Sequence, residues 1–386
     1  MQTLMVAVVS LFVLSIALAA YAFVGYPLLT FVLAAIARRR VAKAPIEPTV
    51  TFIISAYNEE RVIADKIAET LQLDYPRDKL EIIVASDGST DRTDEIVRSF
   101  ADQGVRLVRT EGRLGKTATL NAAVAASTGE IIVCSDATSR YNRGAIRELV
   151  ANFADPQVGG VCGRVLYEYG NSMLARGFKL YQAFVVRQRM NESRFGQQTQ
   201  LSGAIHAIRR EDYVPCPPEI STEEWNALHI ALHGRRSVYE PDATALEESR
   251  HRPAAEFRSR VRMALQCFAF TWYSLRHGLR RTTLLYHFQN ISGKVIRWLL
   301  PFNLAVLLVT SAILAAYSAA AMAVALVLWS AAALALLGIA FPKAGGKVPG
   351  LPLLSFFAIV MCAFAVAWFK LWFGRQAASW EPERGV

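Results

Sequence analysis

Apolar positions are distributed unevenly along the 386-residue chain. Residues 4–36 are nearly all apolar, and so are three stretches near 298–316, 320–341 and 351–373. Each is long enough to cross a bilayer as a helix, which takes roughly 20 residues. Between them the pattern changes. Short apolar runs at Val50–Ser55, Leu80–Ser86, Val105–Val108 and Ile131–Ser135 predict strands. Helical spacing predicts helices over Glu59–Leu71, from a cap at Ser89 or Thr90 to about Phe100, over Lys116–Ala126, and over about Arg143–Phe153. Strands and helices that alternate without an internal sequence repeat argue for a parallel α/β sheet. Beyond it the pattern predicts a strand near 158–168, a helix near 172–193 and a mixed region to about 250.

Residues 254–281 form a different pattern. Phe257, Val261, Leu265, Phe268, Trp272, Leu275 and Leu279 fall three or four apart, with Arg258, Arg260, Arg262, Arg276 and Arg280 among them. That predicts a basic amphipathic helix lying in a membrane interface. The chain therefore divides into an N-terminal span and linker (1–47), a soluble domain (48–253), interface helices (254–297) and three spans with a tail (298–386). Gly25-Tyr26-Pro27 is a predicted kink in the first span. A signal peptide is disfavoured there, because no basic n-region precedes the apolar run and the run is too long.

The net charge of +10 changes the picture only through its placement. Arg38–Arg40, Lys43, Arg280, Arg281, Lys294, Arg297, Lys343 and Lys347 flank apolar segments. By the positive-inside rule both termini lie outside and residues 48–295 inside. The same placement points to an anionic membrane face and phosphorylated substrates, with no nucleic-acid signature. Five scattered cysteines, never in CxxC, read as reduced packing residues.

Candidate chemistry collects where strands end. The Ile131–Ser135 run reads as a strand buried on both faces, and it stops at Asp136. In open α/β sheets ligands bind beyond the carboxyl ends of the strands. Singly, Asp136 also suits a turn or a helix cap. It has company: Ser55-Ala56-Tyr57-Asn58-Glu59-Glu60, Ser86-Asp87-Gly88-Ser89-Thr90-Asp91, and Glu111-Gly112-Arg113-Leu114-Gly115-Lys116 with Asn121 one turn on. These motifs are expected on one sheet edge. Such an edge could hold a metal-bound diphosphate: Lys116 can meet phosphate at a helix start, Asp136 can hold Mg²⁺ or Mn²⁺, and Asp87 can accept hydrogen bonds. His229 and His233, four apart, lack the intervening Glu of the zincin pattern and a third ligand, and read as a plain helix face.

In this order, the four stretches resemble the family 2 glycosyltransferases with the GT-A fold, over roughly 48–300 plus the flanking membrane helices. The resemblance implies an α/β domain with a mostly parallel sheet, carried on transmembrane α-helices. It also implies a bacterial-type inner-membrane location with the catalytic domain cytoplasmic, and inverting transfer from a nucleotide sugar, with UDP expected, to a lipid-linked or polysaccharide acceptor. Asp136 matches the first Asp of the family's Asp-x-Asp metal motif, with Thr138 in place of the second. Ile220-Ser221-Thr222-Glu223-Glu224-Trp225 resembles the Thr-Glu-Asp motif that supplies the general base. Counting back from Gly234 favours Glu223, and Glu224 stays open. Two adjacent carboxylates are expected to repel, raising the pKa of the better-buried one. Ser259-Arg260-Val261-Arg262-Met263 stands where processive members carry Gln-x-x-Arg-Trp, and only Arg262 is kept. Ser202 and Gly203 stand at the acceptor loop. The implied substrate-facing set is Ala56, Tyr57, Asn58, Glu59, Asp87, Lys116, Asn121, Ser135, Asp136, Ser202, Gly203 and Arg262. A processive synthase and a non-catalytic nucleotide-sugar binder are the alternatives.

Overall fold

A computed structural model describes residues 2–168, 172–218, 220–248, 253–277, 282–345 and 348–373. Leu279, Arg280, Arg281 and Lys347, used above to read the span boundaries, lie outside the described residues.

The soluble domain is built on one eight-stranded sheet: β1 (Val50–Ala56), β2 (Leu80–Ser86), β3 (Val105–Arg109), β4 (Ile131–Asp136), β5 (Arg140–Tyr141), β6 (Val158–Glu168), β7 (Ile205–Arg209) and β8 (Arg236–Glu248), in the order β3-β2-β1-β4-β7-β6-β8-β5. The first four strands are parallel, as expected. β7 runs antiparallel to both β4 and β6, while β8 returns parallel to β6. The sheet is thus mixed, with its parallel half first in sequence. Strand order reverses between β1 and β4. Register there sets Ser55 beside Asp136, while Ala56 on the other side pairs with Ser86. The motifs that end β1, β2 and β4 therefore meet at the switch point, where ligands bind in such sheets.

Alternation along the strands gives each face its own core. Phe52, Ile54, Ile82, Val84 and Val133 pack with Ile63, Ile67 and Ile146 on one side. Ile53, Ile83, Ile132 and Cys134 pack with Leu120, Ala123 and Val124 on the other. The Lys116–Ala126 helix starts and ends as expected. Two others are shorter than the periodicity implied. The helix after β1 runs Ile63–Leu71, and the helix after β2 runs only Thr93–Arg98. Neither Ser89 nor Thr90 caps the latter. Ser89 instead accepts the Asn58 backbone N–H, and Thr90 donates its N–H to the Asn58 side chain, so both serve the loop between the strands.

Four helices are long and apolar enough to cross a membrane: Gln2–Ile36, Leu284–Ala315, Ala319–Ala340 and Leu351–Trp372. The second begins 14 residues before the apolar run near 298 (298 − 284), because the helix continues through the more polar segment 284–297. Two spans contain π-helical turns, Tyr21–Gly25 at the expected kink and Ile291–Val295, joined by a Tyr21–Ser292 hydroxyl contact of 2.8 Å. The basic amphipathic helix is present as Pro253–His277. Much of its apolar stripe is covered by protein, although Trp272 is exposed. Val261, Ala264, Leu265 and Phe268 pack on Trp298, Ala363 and Ala367 of two spans. A stripe of that width is satisfied by neighbouring helices as well as by a bilayer, and periodicity alone does not distinguish the two.

Candidate active site

The C-terminal strand ends open into a cavity of about 2360 Å³ that continues between the Met173–Phe195 helix and the Leu351–Trp372 span. Ala56, Glu59, Asp87, Lys116, Asp136, Ser202, Gly203, Glu223 and Arg262 line it. Tyr57, Asn58, Asn121, Ser135 and Glu224 do not.

The residues off the cavity have local structural work. Asn58 is the one described non-glycine residue with a positive φ, 54°. Asn and Asp tolerate that conformation because their short side chains bond locally. Here Asn58 Oδ1 accepts from Thr90 N–H at 2.8 Å and ties the loop after β1 to the loop after β2. Tyr57 lies under the Arg113 guanidinium, 4.4 Å from ring centroid to Cζ, a cation–π distance, and Arg113 itself lines the cavity. Asn121, expected to face substrate, is spent on the 213–216 segment: its Nδ2 donates to the Cys216 carbonyl, and its Oδ1 accepts from the Tyr213 hydroxyl and Cys216 N–H. Ser135 is buried, and its hydroxyl donates to the Asp136 carbonyl.

Asp87 is 3% exposed. Its Oδ1 accepts N–H bonds from Leu114 and Gly115 at 2.8 and 2.9 Å, and the Thr119 hydroxyl at 3.0 Å. The loop carrying Arg113 and Lys116 is thus folded around this carboxylate. Gly88, next to it, has φ +64°, and a Cβ there would fall 2.3 Å from the Gly112 carbonyl oxygen. The Asp-Gly pair is therefore required by the close approach of two loops.

Three charges converge at the cavity mouth. Lys116 Nζ stands 2.5 Å from Asp136 Oδ1 and 3.9 Å from Glu223 Oε1. Burial opposes the Lys116 ammonium, but the two carboxylates outweigh it and hold its pKa above the ordinary lysine range. Burial likewise pushes the Glu223 carboxyl up, yet Lys116 and the Ser221 hydroxyl, 2.7 Å from Oε2, bring it below the usual carboxylate range. Gly203 faces this group directly, since a Cβ on it would lie 2.7 Å from Glu223 Oε1.

The two adjacent glutamates separate cleanly, which corrects two expectations. Glu224 is wholly buried, off the cavity, with Oε1 3.0 Å from Lys294 Nζ. It is not placed to meet an acceptor. Repulsion between neighbours does not set the pKa of Glu223 either; each carboxylate has its own lysine, and Glu223 shifts down. Sequence reading missed His206 on β7, fully buried behind the site with Nδ1 2.6 Å from the Ser202 carbonyl oxygen and Nε2 without a hydrogen-bond partner. Its strand pairs antiparallel to β4, a long-range pairing with no local signal. Lys66 was missed too. This buried lysine lines the cavity, donates to the Ser139 carbonyl, sits 4.5 Å from the Tyr141 ring centroid, and has its pKa pushed down to about 7 by burial.

The sequence model described as Glycosyl transferase family 2 matches residues 51–214. Residues 51–214 are a family 2 glycosyltransferase domain. Among curated proteins, the chain is 37% identical over 123 residues to "Probable glycosyltransferase YdaM" of Bacillus subtilis (strain 168), covering 30% of this chain and 29% of that protein. It is 27% identical over 202 residues to the poly-beta-1,6-N-acetyl-D-glucosamine synthase of Staphylococcus aureus (strain COL), covering 50% of this chain and 48% of that one. The chain thus spans about half the length of these relatives, or less. Among solved structures, the mannosyltransferase PcManGT from Pyrobaculum calidifontis, in complex with GDP-Man and Mn²⁺, aligns with a TM-score of 0.74 at 27% identity, covering 94% of this chain and 99% of that one. The similarity therefore extends from the glycosyltransferase domain into the membrane helices.

Proposed function

We propose that the protein is a membrane-bound inverting glycosyltransferase that moves a sugar from a nucleoside-diphosphate donor to the hydroxyl of a lipid-linked acceptor. The observation that carries this reading is the Asp136–Lys116–Glu223 cluster at the mouth of a cavity whose far wall is apolar. Asp87 and the loop it folds frame the nucleotide side, and Lys116, opening a helix, faces the diphosphate with the helix N-terminus. Glu223, ionised through the neutral range, accepts the proton of the acceptor hydroxyl. The acceptor oxygen bonds to the anomeric carbon as the bond from that carbon to the diphosphate breaks, so one base suffices and no covalent intermediate forms.

The residues also suit a divalent cation. Asp136 is a partly exposed oxygen donor at a strand end whose Oδ1 pairs with Lys116, whereas Asp87 is bonded into the 114–119 loop and Glu223 is bonded by Ser221. The one described carboxylate cluster tight enough for a metal, Glu148, Glu240 and Asp242, does not include it. A single carboxylate completed by phosphate oxygens and water is what Mg²⁺ or Mn²⁺ takes in nucleotide sites. When bound, the ion supplies positive charge to the departing diphosphate. The Mn²⁺ in the mannosyltransferase complex supports this reading.

The lipid part of the acceptor rests on the cavity's membrane arm, where Phe178, Tyr181, Phe356, Phe357, Val360 and Phe364 supply apolar and aromatic wall. The basic flanks of the spans support a cytoplasmic catalytic face at the inner membrane. The family resemblance implies UDP, whereas the structural neighbour was solved with GDP-Man, so the donor is proposed at the level of the nucleoside-diphosphate sugar. The test is incubation of the purified full chain with a panel of UDP- and GDP-sugars, lipid extract and Mn²⁺ or Mg²⁺. Acceptor-dependent release of nucleoside diphosphate, abolished by chelator, is expected. A donor that raises the unfolding midpoint without any release would instead make the protein a binder, and a product of many added sugars would make it a processive synthase.

A further inference from the structure

Glu224, beside the proposed base, is 0% exposed and pairs with Lys294 at 3.0 Å. The same Lys294 ammonium donates to the Thr199 carbonyl at 2.9 Å. Lys294 lies in the π-helical turn Ile291–Val295, at the foot of the Leu284–Ala315 span. Five residues earlier, Gln289 grips the backbone of Gln197 from both sides: its Nε2 donates to the Gln197 carbonyl at 2.9 Å, and its Oε1 accepts the Gln197 N–H at 3.2 Å. The loop that starts there returns to the base, where Leu201 N–H donates to the Glu223 carbonyl at 3.2 Å and Gly203 stands against the Glu223 carboxylate.

A buried ion pair is weak evidence for stability, because desolvation offsets attraction and apolar residues of like volume serve as well. What this pair does is fix three things to one ammonium: the Thr222–Leu232 helix through Glu224, the 197–203 loop through Thr199, and the membrane span itself. π-helical turns inside α-helices recur at functional sites. We propose that Lys294 is a positioning residue for Glu223, through which the foot of a membrane span sets the base helix and the acceptor loop relative to each other. This rests on Glu223 acting as the base. The Gly203–Glu223 approach leaves no slack, and misplacing a reacting group by about 1 Å costs on the order of a hundredfold in rate.

The test uses the full-length protein in detergent with Lys294→Met, Lys294→Arg and the double variant Glu224→Gln/Lys294→Met. Lys294→Met should lower kcat by roughly 10–100-fold while donor KM stays within about threefold, and should lower the unfolding midpoint by roughly 5–15 °C, since it strands a buried carboxylate. Lys294→Arg should recover most of kcat. The double variant, with no stranded charge, should recover the midpoint but not kcat. Recovery of both together would make the pair purely structural and overturn the proposal, as would wild-type kcat in Lys294→Met. A second arm needs no activity. Hydrogen exchange at the amides of 199–203 and 222–224 should speed up in Lys294→Met while β1–β4 stay protected. Unchanged exchange there overturns the bracket whatever the reaction. If the wild type transfers no sugar, the functional reading fails and the exchange arm still decides this one.

Discussion

The two sides of the cavity mouth are assembled in different ways. On the proposed nucleotide side, Ala56 ends β1, Asp87 follows β2, Lys116 opens the helix after β3 and Asp136 is the tip of β4, all within 81 residues (56 to 136) and on strands that run parallel. On the base side, Glu223 is held by Lys116 and Ser221, its neighbour Glu224 by Lys294, and its loop by Gln289. Those contacts span up to 107 residues, from Lys116 to Glu223 (223 − 116), and through Gln289 and Lys294 they reach into a membrane helix. The nucleotide side is a property of the sheet. The base side is a property of how the sheet, a surface helix and the membrane spans dock together. Substitutions on the first side should therefore act on donor affinity, and those on the second on turnover.

The largest effect expected from this contrast is at Glu223. Glu223→Gln should lower transfer by roughly 10²–10⁴-fold, the usual span for a general base, with donor affinity by calorimetry changed no more than a few-fold. In the wild type the acid limb should match the downward shift. Base action needs the carboxylate ionised, and its folded pKa is depressed, so kcat should persist until the pH falls below the ordinary glutamate range. A limb at or above that range, or a large loss of donor binding in Glu223→Gln, would move Glu223 to the nucleotide side of the contrast.

A smaller effect, of opposite kind, is expected at Gly88. Gly88→Ala places a Cβ against the Gly112 carbonyl in a backbone conformation costing L-residues about 1–3 kcal/mol. The loop around Asp87 should shift, weakening donor binding by at most roughly 5–150-fold, that energy converted, and leaving kcat at saturating donor within a few-fold. If kcat falls while affinity holds, the two sides are not separable as described.

The smallest effect concerns stability alone. Burial depresses Lys66 to about 7, so above that pH the unfolded chain binds a proton at this position that the folded chain does not. Lys66 thus contributes stability that rises with pH from about 7 toward the unfolded lysine value. Lys66→Met should remove that part of the slope, and the difference in unfolding midpoint between the two proteins should shrink or change steadily between pH 7 and 9. A constant difference would mean Lys66 is charged in the fold throughout.

The same contrast explains what could be read from the chain. The placement of Asp87 and Asp136 at one sheet edge was legible because an apolar run ending in a carboxylate states both the strand and the edge. The Lys116–Ala126 helix was legible because its apolar spacing is local. Asn121 was misassigned because a polar residue one turn into a helix faces ligand or a neighbouring loop with the same local pattern, and here it faces Cys216. Glu223 and Glu224 could not be ranked by burial from sequence, because what separates them is Lys294, seventy positions away. The amphipathic Pro253–His277 helix was found, but its partner was not, since protein and lipid satisfy the same stripe.

The strand order has a consequence for how the protein comes into being. Every element of the proposed nucleotide side lies in the chain up to β4, and β3, β2, β1 and β4 pair with one another in that order, while β7, made later, covers the free edge of β4. Gln289 and Lys294 emerge some 150 residues afterwards, at the start of a segment that must enter the bilayer. If the bracket acts as proposed, docking of the Leu284–Ala315 span is a late step in assembling the base side, after the strands that carry Asp87 and Asp136 have been made.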